Sequence, residues 1–107
     1  MAIQYAYTSL QGVVASSAYH RITRVDYNAD NTVNAKMTIK VFKDANARSD
    51  GFDPLDINVV TFTMDVSGRG ANPLTQAYNA LKTKTALIDP KGRSKNIDYT
   101  HDDVRDV

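Results

Sequence analysis

The chain contains no cysteine, and this absence excludes disulfide bonds and metal sites built from thiolates. It has no excess of one charge either. Its 13 basic and 12 acidic residues give a net charge of +1, so electrostatics gives no reason to expect a nucleic-acid partner. No apolar run is long enough to predict a membrane span, and the first residues do not resemble a signal peptide. At 107 residues we expect one small domain, made in the cytoplasm, with no membrane partner.

Motifs for catalysis or cofactor binding are also scarce. His20 and His101 are the only histidines, and neither has partners at the spacing of a zinc site or a catalytic triad. The glycine-rich segment 67–70 lacks the lysine and hydroxyl residue of a phosphate-binding loop, so we interpret it as a connector. We therefore expect a non-enzymatic protein with no metal, no cofactor and two ordinary histidines.

Several aspartates between residues 44 and 56 could suggest a calcium loop. Counted from Asp44, the fifth, sixth and twelfth positions of an EF-hand would be Arg48, Ser49 and Leu55. These residues replace an oxygen ligand, a required glycine and a bidentate glutamate. The pattern fails, and the segment is better interpreted as a long polar loop rich in turn-forming residues.

Four segments have the composition of β-strands. In the clearest of them every second residue from 33 to 41 is apolar, which predicts one face on a core and one face toward water. Lys36, Lys40 and Lys43 lie on the outward side. No aromatic residues alternate with them, so a solvated lysine face is favoured over a nucleic-acid site. The predicted strands are residues 3–9, 18–27, 32–43 and 57–66.

One amphipathic helix follows these strands. Asn72 is a favourable N-cap, and Pro73 suits the first helical position because its missing N–H is not needed there. The spacing of Leu74, Ala77, Tyr78 and Leu81 predicts one buried face. We therefore predict a mainly β fold: an antiparallel β-sandwich or barrel-like domain with one packed α-helix near residues 73–84.

The apolar periodicity stops after residue 88. Residues 89–107 carry basic side chains first and acidic side chains last. This composition predicts an extended, charged C-terminal arm with little structure of its own, beside a β domain at residues 1–88. Such an arm can order on a neighbouring subunit, so its deletion is expected to leave the domain folded and to weaken assembly.

Two motifs of the chain resemble those of a family of small structural proteins of tailed bacteriophages. One is Ala18-Tyr19-His20-Arg21, preceded by Gly12; the other is the helix Asn72-Pro73-Leu74-Thr75-Gln76-Ala77-Tyr78-Asn79-Ala80-Leu81-Lys82-Thr83. The resemblance spans residues 3–88 and leaves out the C-terminal segment. It implies a virion structural protein of the tail or baseplate, and it implies no catalytic residues.

The resemblance and the tyrosine content together favour assembly from repeated subunits, as a trimer or hexamer that also contacts other virion proteins. A capsid decoration or head–tail joining protein is an alternative. A small host-surface or carbohydrate-binding module is another. Candidate interface residues are the tyrosines and the charged side chains near the C-terminus: Tyr5, Tyr7, Tyr19, Tyr27, Lys91, Arg93, Lys95, Tyr99, Asp102 and Asp103.

Overall fold

The structure is a computed structural model that describes residues 2–9, 11–28, 31–65, 72–88 and 92–107. These residues form short and long β-strands with two helices. In chain order the elements are β1 Ile3–Gln4, β2 Tyr7–Thr8, β3 Val14–Ala15, β4 Tyr19–Asn28, β5 Asn31–Phe42, α1 Ala45–Ser49, β6 Asp56–Phe62, α2 Pro73–Leu81, β7 Ala86–Ile88, β8 Ser94–Asn96 and β9 Arg105–Asp106.

The central element is a five-stranded sheet in the order β6-β5-β4-β1-β9. Each neighbouring pair is antiparallel. Two small sheets, β2–β3 and β7–β8, complete the strand content of the described residues. The predicted fold class, a mainly antiparallel β domain with a packed helix, is confirmed.

One face of the sheet carries the core, which we call the inner face. Ala35, Met37, Ile39 and Val41 of β5 are fully buried, as the alternation in the sequence predicts. Residues of α2, β2–β3, β7 and the segment after β8 join the same apolar cluster. The other face, which we call the outer face, carries the intervening side chains of β4, β5 and β6.

The predicted helix is present as α2. The Asn72 side chain accepts a hydrogen bond from the Thr75 N–H (2.8 Å), and Pro73 begins the helix. Ala77, Tyr78 and Leu81 are buried, but Leu74 is 41% exposed, so its predicted place in the buried face is wrong. The α-helix ends at Leu81 rather than near residue 84, because Lys82, Thr83 and Lys84 continue as a turn.

The side chain of Gln76 fixes α2 to the chain that follows β6. Its amide oxygen accepts from the Asp65 N–H (2.7 Å), and its amide nitrogen donates to the Asp65 carbonyl (2.9 Å). This pair of bonds resembles the pairing between two strands. The two bonded residues lie before and after the connector predicted at 67–70, which lies outside the described residues.

Residues 92–107 differ from the predicted arm. Ile97 and Tyr99 are buried, and their N–H groups donate to the carbonyls of Thr85 (3.1 Å) and Lys84 (3.0 Å). β9 pairs with β1 at the edge of the main sheet. This segment is therefore packed on the domain. The sequence pattern did not indicate it, because isolated apolar anchors among charged residues have no periodicity.

Two other segments differ in detail from the predicted elements. The long loop at 44–56 contains the short helix α1, and the Asp44 carboxylate accepts from the Ala47 N–H (2.7 Å) at its start. The strand predicted at 3–9 is divided into β1 and β2, which pair with different strands. The two strands are separated where the Tyr5 N–H donates to the Ala18 carbonyl (3.1 Å).

Candidate functional site

The tyrosines predicted to form an interface lie in different environments. Tyr7 and Tyr99 are buried, with 3% and 2% of their surface exposed, so they belong to the core rather than to an accessible surface. Tyr5 and Tyr19 are half-buried. Tyr27 is exposed near the end of β4. The tyrosines therefore do not form one surface patch.

The charged residues predicted for the interface lie near the C-terminus. Arg93, Asp102 and Asp103 are exposed. Lys91 and the side chain of Lys95 lie outside the described part of the structure. Asp102 and Asp103 belong to a turn that contains the buried Tyr99. This turn, residues 98–103, is called the acidic turn below.

Buried polar side chains gather at one end of the inner face. His20 of β4 is fully buried, and its Nδ1 lies 2.8 Å from the Tyr99 hydroxyl. Its Nε2 lies 2.9 Å from the Tyr5 carbonyl. The rings of Tyr7 and Tyr99 both meet the imidazole edge to face, at centroid distances of 5.5 and 5.3 Å. The histidine thus connects β1, β4 and the C-terminal segment.

These contacts assign a tautomer to His20. A carbonyl oxygen only accepts, so Nε2 carries the proton that is donated to Tyr5. Nδ1 is then an acceptor, and the Tyr99 hydroxyl donates to it. Burial lowers the pKa of His20 to about 4, partly opposed by the bond to the Tyr5 carbonyl. Burial also raises the pKa of Tyr99 well above its ordinary value, which keeps this hydroxyl a donor.

Tyr7 connects the same region to β6. Its hydroxyl donates to Asp56 Oδ2 (2.6 Å) and accepts from the Asn58 amide (3.3 Å). Asn58 is only 1% exposed. In the described residues, every buried polar side-chain atom has a hydrogen-bond partner. Because His20 is fully enclosed, we assign these buried polar side chains a structural role rather than a catalytic one.

The outer face of the sheet carries a basic cleft. The register places Arg21 of β4 beside Lys40 of β5, and Lys40 beside Ile57 of β6. Arg48 of α1 and Phe52 line the same cleft, which has a volume of about 540 Å³. Phe52 is 65% exposed. The name basic cleft refers below to the cleft lined by Arg21, Lys40, Arg48 and Phe52; Lys36 and Lys43 are exposed outside it.

Sequence reasoning missed the aromatic residues of this cleft. The lysine face was interpreted as lacking aromatic partners, and this is wrong, because Phe42 follows Lys40 by two residues in β5 and lines the cleft. Phe52, from the loop after α1, lines the cleft as well. Strand periodicity gives no signal for a side chain supplied by a loop.

The structure offers no arrangement for a metal ion in its described residues: no three His, Cys, Asp or Glu side chains are grouped suitably. No helix within the described ranges is long and apolar enough to cross a membrane. Comparisons with models of known protein families, with curated proteins and with solved structures give no match.

Proposed function

We propose that this chain is a non-enzymatic structural protein of a bacteriophage particle, in the tail or baseplate, that assembles through repeated copies. The observation that supports assembly is the exposure of apolar side chains on the outer face around Lys40. Ile57, the neighbour of Lys40 in β6, is 40% exposed, and Phe52, which lines the cleft with Lys40, is 65% exposed. Exposed apolar side chains beside charged ones are typical of protein interfaces.

The edge of the sheet next to this face also supports assembly. β6 is an edge strand of the five-stranded sheet. From Ile57 to Phe62 it contains no charged residue and no proline, which are common devices against edge-to-edge pairing. Such an edge is suited to pairing with a strand of a neighbouring subunit.

The location in a phage particle is supported by the resemblance in two motifs. Residues of the helical motif make specific hydrogen bonds in this fold. Asn72 caps α2, Gln76 holds the chain after β6, and the Tyr78 hydroxyl accepts from the Ile22 N–H (3.0 Å). Ala18 and His20 of the other motif are fully buried. Both motifs thus consist largely of residues that determine this fold.

The test is the molar mass of the purified protein by size-exclusion chromatography with light scattering, across a range of concentrations. We expect a discrete trimer or hexamer. The Phe52→Asp variant should shift the mass toward the monomer, because it places a charge in the contact. Val14→Asp is the matched control, since Val14 is 72% exposed but lies in β3.

A strict monomer would count against self-assembly and favour a decoration or joining protein that needs a different partner. The particle itself gives the second readout. Antibodies against this chain should label tails or baseplates of purified phage. Labelling of the capsid surface alone would reject the tail assignment, and absence from particles would reject the virion role.

A second candidate, a carbohydrate-binding module, is favoured by one feature. The exposed ring of Phe52 lies beside Asp53 and Ser49 in the basic cleft, and an aromatic face with adjacent polar groups is suited to a sugar ring. A glycan array probed with the intact protein tests this candidate. Specific binding that is lost in Phe52→Ala would support it.

A further inference from the structure

The basic cleft contains cations without nearby acidic partners. Among the described residues, no carboxylate lies within ion-pair distance of Arg21, Lys40 or Arg48. Arg21 has only a long contact to the Tyr19 hydroxyl (3.5 Å). Asp53 is the one acidic residue among those that line the cleft. The cleft therefore presents an excess of positive charge around an exposed aromatic ring.

The acidic turn presents the opposite charge. Asp98, Asp102 and Asp103 are exposed, and the side chain of Asp103 is 80% accessible. The turn is held in place by the buried Tyr99 and by the bond from the His101 N–H to the Asp98 carbonyl (3.2 Å). Hydrogen bonds from Thr100 lower the pKa of Asp98 and so favour its charged form. A charged surface that is already ordered loses little entropy on binding.

The two surfaces lie on different sides of the molecule. Arg21 and Lys40 project from the outer face of the sheet, because their neighbours His20 and Val41 are buried on the inner face. The acidic turn contains Tyr99, whose hydroxyl donates to His20 on the inner face. Cleft and turn of one molecule are thus separated by the sheet. An interaction between them joins two molecules.

We propose that the basic cleft binds the acidic turn of a second copy of this chain. This inference rests on the proposed function and names the interface that it needs. Because the cleft and the turn of one molecule lie on opposite sides of the sheet, the contact is head-to-tail rather than two-fold symmetric. Repeated contacts of this kind produce a ring if the rotation closes, and an open filament otherwise. A trimeric or hexameric ring is the closed form expected for a phage tail.

The charges make the contact sensitive to salt. Raising the ionic strength from about 50 mM to about 500 mM NaCl shortens the screening length to a few ångströms and should weaken association. Lys40→Glu should raise the dissociation constant about tenfold or more, because it places like charges opposite one another. Lys36→Glu is the matched control: Lys36 is exposed on the same strand and lies outside the cleft.

A mixture of two variants separates loss of the contact from loss of the fold, because a misfolded variant would not regain association in the mixture. Lys40→Glu and Asp102→Lys should each associate weakly alone. An equal mixture should form heterodimers, since the acidic turn of the first then meets the intact cleft of the second. Light scattering measures the mass, and circular dichroism checks that both variants are folded.

The outcomes separate this inference from the function on which it rests. Oligomers unaffected by salt and by Lys40→Glu would overturn the proposed contact and leave assembly through another surface, such as the β6 edge. A wild-type monomer at all salt concentrations would overturn the contact as well. Absence of the chain from purified particles would reject the virion role whatever its state in solution.

Discussion

Among single residues, His20 connects separate parts of the chain. Its two ring nitrogens connect the Tyr5 carbonyl with the Tyr99 hydroxyl, which are far apart in sequence. The sequence favoured an ordinary histidine, because it offers no partners at the spacing of a zinc site or a catalytic triad. Its two partners were not predictable, because neither lies in the segment that contains it.

His20 should make stability depend on pH. Its pKa is about 4 in the fold and 6.5 for the ordinary group, so between these values the unfolded chain binds more protons. The stabilisation is fully present above about pH 6.5 and is lost as the pH falls through about 4. The free energy of unfolding from urea denaturation should decrease by about 3 kcal/mol across this range.

The control for this prediction is the other histidine. The His101 side chain is half exposed, so His101→Gln should keep the pH dependence of the wild type. His20→Gln should remove most of the dependence attributable to histidine, whatever its effect on stability at neutral pH. An unchanged slope in His20→Gln would show that other groups cause it.

The Tyr78 hydroxyl provides a second prediction for a single residue. β1 pairs only with Tyr19 and His20 of β4, and the Ile22 N–H beyond them donates to this hydroxyl. Tyr78→Phe keeps the ring and leaves the buried N–H without its acceptor. The free energy of unfolding should fall by about 1–3 kcal/mol. Tyr27→Phe, at an exposed hydroxyl, should change it by less than about 0.5 kcal/mol. Equal effects of the two variants would contradict the prediction.

At the scale of elements, α2 shows which signals are local. Its start was predicted correctly, because an N-cap followed by proline is decided by neighbouring residues. The tertiary contacts of α2 were not predictable. The helix packs against β4 through Tyr78 and holds Asp65 through Gln76, and the first of these contacts joins residues that are 56 positions apart in sequence.

The cap of α2 can be tested against a position within the same helix. Asn72→Ala removes the acceptor of the Thr75 N–H and should lower the free energy of unfolding by about 1 kcal/mol. Asn79→Ala, at an exposed position inside α2, should raise stability slightly because alanine is the better helix former. Thermal and urea denaturation measure both variants. The same sign of change in both would contradict the role of Asn72 as the cap.

At the scale of the whole molecule, the C-terminal segment is required to close the core. Deleting residues 92–107 removes the buried side chains of Ile97 and Tyr99 and the hydrogen bond to His20. The loss should be about 5 kcal/mol, comparable to the total stability of a small domain. Circular dichroism and proteolysis should therefore find the shortened chain largely unfolded.

This outcome is opposite to the one expected for a flexible arm, whose loss would leave the domain intact. Tyr99→Ala gives an intermediate test with the full chain. It should destabilise the protein by several kilocalories per mole, whereas Tyr27→Ala should have little effect on stability. A folded, stable shortened chain would mean that the segment adds only surface contacts.

The sequence by itself determined the features that depend on near neighbours. They are the alternation of β5, the cap of α2 and the mainly β class of the domain. Only the tertiary structure decided that Tyr99 completes the core and that Phe52 joins Lys40 in a cleft. Single side chains that pack across long sequence separations leave no periodic pattern. Their positions follow from how the sheet is closed at its edges and covered on its faces.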